Sequence, residues 1–162
     1  MKRMIGLGGL AGLVLVGGSA SATTTTSTFG VTLAITAQCV INSTALLDFG
    51  SSGVINANKD TNSPLVVQCT NSLPYTVALD KGTTSGGAIT QRLLANGAAT
   101  VNYNLYTDSP GGTLWGDGTN GVTLGGTGNG AAQTITIYGR VPIQTTPAAG
   151  TYTDTVTVTV TY

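Results

Sequence analysis

The last twelve residues of the chain alternate in character without a break. Every odd position from Thr151 to Thr161 is threonine. The even positions are Tyr152, Asp154, Val156, Val158, Val160 and Tyr162. Successive side chains of a β-strand point to opposite faces, so this pattern predicts a strand with one largely apolar and one hydroxyl-bearing face. Chain ends are usually frayed, and we therefore expect this half-buried strand to pack against a further element.

The first 22 residues predict a secretory signal peptide. Lys2 and Arg3 form the basic start, an uncharged stretch of apolar residues and glycine covers residues 4–18, and Ala20-Ser21-Ala22 is a small-x-small cleavage site. The stretch is shorter than the roughly 20 apolar residues that a membrane-spanning helix needs. We expect cleavage after Ala22 and export of a single domain.

The composition of the exported part predicts an all-β protein that does not bind nucleic acid. It retains four basic residues against six aspartates, a formal charge of −2, and it contains no glutamate. Phosphate backbones are bound by basic stripes, and the sequence has none. Threonine, valine and glycine are abundant while good helix formers are scarce, which favours strands.

Two cysteines, Cys39 and Cys69, lie in the exported part. In an oxidising compartment such a pair most simply forms one disulfide, which would stabilise the fold by roughly 3.5 to 4 kcal/mol for a closed loop of this length. A metal site would need further ligands, and the chain has no histidine. We therefore predict a structural disulfide, no metal site and no cofactor.

The rest of the exported chain predicts short strands separated by glycine-rich turns. A second strongly alternating strand carries the apolar residues Phe29, Val31, Leu33 and Ile35. Further strands are predicted at residues 45–49, 65–70, 75–80, 100–106 and 133–141. Glycine clusters at residues 82–87, 110–112, 116–118 and 125–130 predict turns, the last of them a flexible loop, and residues 91–97 are compatible with one helical turn. This organisation is typical of a β-sandwich or barrel.

Candidate catalytic groups are few. Without histidine, neither a Ser-His-Asp nor a Cys-His arrangement can form. Two of the six aspartates could meet as a glycosidase pair, but they fall mostly at predicted turns, where aspartate caps backbone amides. Residues 125–130 lack the spacing of a phosphate-binding loop, and residues 117–121 lack the alternating carboxylates of a calcium loop. We predict no catalytic residue and no small-molecule substrate.

Trp115, which is followed by glycine and aspartate, has two interpretations. It could stack on a sugar, or it could cover one end of the sandwich as a rim residue. We favour the rim position.

Four ordered blocks of sequence resemble the spore coat protein U domain family, which includes major pilins of archaic chaperone-usher pili. The blocks are NLYTD at residues 104–108, LWGDG at 114–118, IYGRVP at 137–142 and PAAGTYTDTV at 147–156. The resemblance covers nearly all of the exported chain and includes both cysteines.

This resemblance implies an all-β, immunoglobulin-like β-sandwich that is incomplete, because its last strand is supplied in trans by a neighbouring subunit. Residues 1–22 would be the signal peptide, residues 23–36 the N-terminal donor strand and residues 37–162 the pilin domain. The donor side chains would be Phe29, Val31, Leu33 and Ile35. The floor of the acceptor groove would be formed by Val156, Val158 and Val160.

Two functions are compatible with the sequence. The first is a non-enzymatic pilin that polymerises head-to-tail with other copies of itself by donor-strand exchange. Its partners would be a periplasmic chaperone and an outer-membrane usher, and its product a cell-surface fimbrium that supports adhesion or biofilm formation. The alternative is a secreted module that inserts its N-terminal strand into its own sheet and binds glycans through Trp115.

Overall fold

The structure is a computed structural model that describes residues 17–19 and 21–162. Most of the predicted signal peptide therefore lies outside the described residues. The chain divides into two units, and every strand of the described residues belongs to the second, Ile35–Tyr162. In the described part of the chain, no helix is long and apolar enough to cross a membrane.

The described residues form eight strands in two antiparallel sheets. The strands are β1 (Cys39–Thr44), β2 (Lys59–Cys69), β3 (Pro74–Leu79), β4 (Arg92–Asn96), β5 (Ala99–Tyr106), β6 (Leu124–Thr127), β7 (Ala132–Val141) and β8 (Val158–Thr161). The larger sheet has the order β1-β2-β7-β5-β4, and the smaller sheet has the order β6-β3-β8. β1 and β8 are therefore both outer strands.

The core lies between the two sheets and follows the alternation of their strands. On β2, Leu65 and Val67 are fully buried, and the residues between and beside them are partly exposed. On β3, Val77 and Leu79 are likewise fully buried. Period-two alternation buries one face of each sheet against the other, so the predicted all-β, immunoglobulin-like sandwich is confirmed.

The helical turn considered for residues 91–97 is wrong, because Arg92–Asn96 forms strand β4 and Gly97 lies in the loop after it. β4 pairs with β5 in a hairpin whose two-residue loop is Gly97-Ala98. Gly97 has a φ of 59°, the positive value that two-residue hairpin loops require. Pairing with β5 outweighs the helix propensity of the Arg-Leu-Leu-Ala run, because tertiary contacts exceed the weak local preference.

The flexible loop predicted at residues 125–130 is also wrong in its first part, because residues 125–127 belong to β6. Gly125 and Gly126 pair with β3 at Thr76 and Tyr75. A Cβ on Gly126 would collide with the Tyr75 ring, so the absence of a side chain allows this close approach.

The predicted strand at residues 45–49 is wrong as well, because the chain pairs earlier, as β1, and then leaves the sheet. The amide of Ala45 still donates to the carbonyl of Pro64 at 3.3 Å, beyond which no strand is assigned until β2. The other main predicted strands correspond to β2, β3, β5 and β7 with shifted ends.

Candidate functional site

The terminal segment, residues 151–162, keeps its predicted two-faced character throughout. The side chains at even positions from Tyr152 to Val160 are half-buried, and the threonines between them are exposed. Only Val158–Thr161, however, is a regular strand, so the ladder is shorter than the predicted twelve residues.

The ladder is short because the partner of the terminal segment changes along its length. After β3 ends, the Asp80 amide donates to the Thr157 carbonyl at 3.1 Å, and the Thr157 amide donates to Asp80 Oδ1 at 2.8 Å. The Thr83 amide then donates to the Thr155 carbonyl at 3.0 Å. Finally, Thr153 and Ala95 of β4 exchange bonds of 3.0 and 2.9 Å. One edge of the terminal segment is thus held along its length.

The opposite edge of the terminal segment is open. Residues of a strand turn their backbone groups alternately to its two edges, and the odd-numbered residues bond to the edge just described. The N–H and C=O groups of Val156, Val158 and Val160 therefore face the other edge. No strand among residues 17–19 and 21–162 pairs there. An unpaired edge of this kind is a template for the addition of a strand.

Half-buried apolar side chains that pack on the core lie on the terminal segment, beside this open edge, and on the chain around β1; they are Tyr152, Val156, Val158, Val160, Cys39, Leu47 and Phe49. We call them the floor; that Val156, Val158 and Val160 receive an inserted strand stays a prediction. β1 approaches β8 at one end of this opening. At the other end, residues 46–53 and 146–154 enclose a cleft of about 590 Å³. We call the open edge and this floor the groove.

Two side chains of the floor, Leu47 and Phe49, come from residues that the sequence did not predict as part of the site. Leu47 and Phe49 lie over Gly139 of β7, where a Cβ would come within 2.7 Å of Leu47 Cδ2 and 3.0 Å of Phe49 Cζ. The Phe49 ring packs edge-on against Tyr103, with centroids 6.2 Å apart. The alternation of Leu47 and Phe49 in the sequence indicates a strand, and it does not indicate that these side chains belong to the floor.

Asp154 is the polar member of the groove-facing row. Its Oδ1 accepts from the amides of Thr83 and Thr84, each at 3.0 Å, and its Oδ2 accepts from the Tyr103 hydroxyl at 2.6 Å. Burial raises the pKa of Asp154, but the hydrogen bonds from Tyr103 and Thr84 outweigh it, so the pKa lies below its usual value. Burial, and then the bond to Asp154, raises the pKa of Tyr103. Both oxygens of the carboxylate are engaged within the domain.

Arg92 holds the loops behind the terminal segment in place. Its fully buried guanidinium donates to the carbonyls of Asp80 at 2.8 Å, Trp115 at 2.9 Å and Leu79 at 3.2 Å. Burial lowers the pKa of Arg92. Arg92 thus bonds to the Asp80 carbonyl, while the Thr157 amide bonds to the Asp80 carboxylate. Sequence reasoning missed this residue, since nothing marks a lone arginine as buried.

Trp115 belongs to the core, and both interpretations of it from the sequence are wrong. It has no exposed surface, and its Nε1 donates to the Val77 carbonyl at 2.9 Å. A sugar cannot stack on a ring enclosed in this way, and the residue does not lie on a rim. The glycan-binding alternative therefore loses the residue on which it depended.

The predicted disulfide between Cys39 and Cys69 is present, with an S–S distance of 2.04 Å. It joins the first residue of β1 to the last residue of β2, which are partners in the ladder. The disulfide thereby fastens the chain that borders the groove to the larger sheet.

The four predicted donor side chains are among the most exposed large apolar residues of the protein. The exposed fractions are 87% for Phe29, 82% for Val31, 86% for Leu33 and 79% for Ile35. No strand of the described chain includes these residues. A structure of one chain does not test whether they pair with another, and their role as donor stays a prediction.

Groups of three or more residues able to ligate a metal do not occur within the described ranges. Two antiparallel sheets around one core, with an unpaired edge above a half-covered apolar floor, define an immunoglobulin-like sandwich with an open groove.

Comparison with known proteins identifies the family. The model of the Spore Coat Protein U domain matches residues 25–159, and the chain belongs to this family. It is 35% identical over 104 residues to Protein U of Myxococcus xanthus, a match that covers 60% of this chain and 58% of that protein. The chain thus spans little more than half the length of this relative.

Among solved structures, the fold is similar to one in the crystal structure of the CsuC–CsuE chaperone–tip adhesion subunit pre-assembly complex, from archaic chaperone-usher Csu pili of Acinetobacter baumannii. The TM-score is 0.56 at 24% identity, and the match covers 79% of this chain and 40% of that chain. This likeness supports the fold.

Proposed function

We propose that this protein is a non-enzymatic structural subunit of a cell-surface fibre. Residues 29–35 of one copy insert into the groove of the next, and the contact repeats head-to-tail. One observation carries this proposal: the chain exposes four alternating large apolar side chains and also has an open strand edge above an apolar floor. The exposed side chains need an apolar surface to cover them, and the open edge needs a strand to pair with it.

The two surfaces match in spacing. Directly opposed residues of antiparallel strands place their side chains on the same face of the sheet. A strand added opposite Val156, Val158 and Val160 thus directs every second side chain onto the floor. Phe29, Val31, Leu33 and Ile35 have this spacing of two residues.

The energy of such a contact is large. Burial of four side chains of this size contributes roughly 6 to 12 kcal/mol, before the ladder hydrogen bonds and before the entropy of ordering the strand. The contact is heterologous, because one copy gives a strand and the next receives it, and contacts of this type generate open fibres.

Export and assembly factors follow from the same proposal. The groove of an unassembled subunit exposes apolar surface in the periplasm, which favours a chaperone that covers it until assembly. An outer-membrane usher then passes the growing fibre to the cell surface, where it supports adhesion or biofilm formation. The pilus complex that shares the fold contains a chaperone with a subunit, which agrees with this route.

The test compares two neighbouring charges in the donor segment. Leu33→Asp places a carboxylate on the floor and abolishes polymers seen by electron microscopy and by gel electrophoresis without boiling. Thr32→Asp is the matched control, because residue 32 points to the opposite face, and its polymers persist. Polymers that survive Leu33→Asp, or that Thr32→Asp removes equally, contradict the proposal.

A cross-linking experiment tests the face of the contact. Leu33→Cys combined with a cysteine at Val156 or Val158 forms disulfide-linked dimers and higher multimers on oxidation. The same donor cysteine with Thr157→Cys does not, because Thr157 lies on the outer face. Equal cross-linking of both combinations would rule out this geometry.

A further inference from the structure

The residues that connect the donor segment to β1 are held by one residue, Thr70. The Gln38 amide donates to Thr70 Oγ1 at 3.0 Å, and the Thr70 amide donates to the Gln38 carbonyl at 2.9 Å. The Thr70 hydroxyl can give its single proton to the carbonyl of Thr36 or of Gln38, each at 3.2 Å. We call these contacts the Thr70 clamp.

The clamp extends the β1–β2 ladder past its last assigned pair. Cys39 opposes Cys69, so Gln38 and Thr70 occupy the next opposed positions. The disulfide joins Cys39 to Cys69, the residues adjacent to the clamp, and thus holds the two chains in register there. Residues 36–38 therefore continue in line with β1. Ile35, the residue before them, makes no hydrogen bond in this ladder.

This arrangement bears on how the donor segment could reach a groove. Only residues 36–38 separate Ile35 from β1. To enter the groove of its own domain, the chain would have to reverse direction beside β1. A reversal within three residues uses at least two of them as turn residues, so Thr36 or Gln38 would have to leave the ladder. Residues held straight against Thr70 cannot form that turn.

We infer that the Thr70 clamp keeps the donor segment out of its own groove, so that it remains available to a second copy, and that the donor segment ends at Ile35. This inference rests on the proposed function and adds how self-insertion is avoided. Thr70 acts as a positioning residue: it does not contact the inserted strand, and it acts through residues 36–38.

The experiment removes the hydroxyl and keeps the shape of the side chain. Thr70→Val eliminates the side-chain bonds and retains the backbone bond to Gln38, whereas Thr70→Ser retains the hydroxyl and is the matched control. Both are made in the exported chain carrying Leu33→Cys and Val158→Cys, refolded and then oxidised. Size on a non-reducing gel separates cross-links within one chain from cross-links between chains.

With Thr70 in place, and equally in the Thr70→Ser control, we expect cross-links almost wholly between chains. In the Thr70→Val variant, the share of cross-linked monomer rises severalfold. Hydrogen exchange at the Gln38 amide accelerates about tenfold, as loss of about one net hydrogen bond predicts. Exchange reports the clamp itself, independently of assembly.

The outcomes separate the inference from the proposed function. If Gln38 exchanges faster in Thr70→Val but the cross-links remain between chains, or if exchange does not change, the clamp inference is overturned. If the chain with Thr70 intact forms no cross-links between chains, the proposed function fails whatever Thr70 does.

Discussion

Val77 and Val160 are cross-strand partners in the same ladder, yet their environments differ. Val77 on β3 is fully buried, whereas Val160 on β8 is only half-buried. β3 has a neighbour on each side, and β8 has one. Residue type and strand pattern are the same, so the number of neighbouring strands decides whether a valine completes its burial.

The contrast extends to the two sides of the molecule. Around β2 and β3 the core is closed, and its side chains have no measurable exposure at Leu65, Val67 and Leu79. Along the groove the same kinds of side chain are half-covered and adjoin a cleft. The closed side supplies stability, and under the proposed function the open side receives the donor segment of a second copy.

The largest effect is expected from the covalent link between these two sides. Replacing both Cys39 and Cys69 by serine removes a cross-link between residues 30 positions apart. We expect the free energy of unfolding to fall by roughly 3.5 to 4 kcal/mol, the loop-entropy value for this separation. Urea unfolding under oxidising conditions measures the change. A loss below about 1 kcal/mol would show that β1 is secured without the disulfide.

The second prediction uses the valine pair directly, in the Leu33→Asp background so that assembly does not contribute. Val77→Ala should cost about 2 kcal/mol, since it removes two buried carbon groups and leaves a cavity. Val160→Ala should cost about 1 kcal/mol, because half of that surface is already exposed. Chemical denaturation provides both values. Equal costs would mean that the groove floor is closed in solution.

The third prediction concerns Asp154, which ties the terminal segment to the loop at residues 82–84. Asp154→Asn should cost about 1 to 2 kcal/mol at neutral pH through weaker hydrogen bonds. The folded-state pKa is lowered, so the charged form stabilises the fold above the unfolded pKa of about 3.9, and this contribution is lost as the pH falls through the folded pKa.

The difference between the parent protein and Asp154→Asn should therefore shrink below about pH 4. Tyr103→Phe, which removes the donor at 2.6 Å, should move the acid limb of the parent to higher pH. Unfolding midpoints across pH 2 to 7, a range of about five units around the carboxylate pKa, measure both effects. A constant difference at all pH values would contradict this account.

The smallest effect is expected on the outer face of the closed sheet. Arg140 and Asp60 are opposed on β7 and β2 and form a two-pronged ion pair, with bonds of 2.6 and 2.7 Å. Both side chains are partly exposed, and exposed pairs contribute little because solvent and salt screen them. Asp60→Asn should shift the thermal midpoint less than any change above. A larger shift would show that this ion pair stabilises the fold more than an exposed pair is expected to.

Local patterns predicted much of the fold. Alternation located β2, β3, β5 and β7, and the presence of two cysteines in the part of the chain expected to be exported predicted their disulfide. These strands could be predicted because alternation with a period of two defines the two faces of a strand, whatever the strand packs against.

Other elements depend on distant partners and could not be predicted from local pattern. β4 contains a run of helix-forming residues and is a strand because β5 pairs with it. β6 contains two glycines and is a strand because β3 pairs with it, and the Tyr75 ring fills the space over Gly126. The Gly97-Ala98 loop was the one available sign of the β4–β5 hairpin, since glycine is favoured at the first position of such loops.

The sequence by itself determined that residues 151–162 have an apolar and a hydroxyl-bearing face, because alternation alone sets the direction of each side chain. Only the tertiary structure decided which edge of this segment is free. One edge is bonded to β3, Asp80, Thr83 and Ala95, which lie far from the terminal segment in the sequence, and the other edge is left free. A strand's own residues specify its faces, and its neighbours specify its edges.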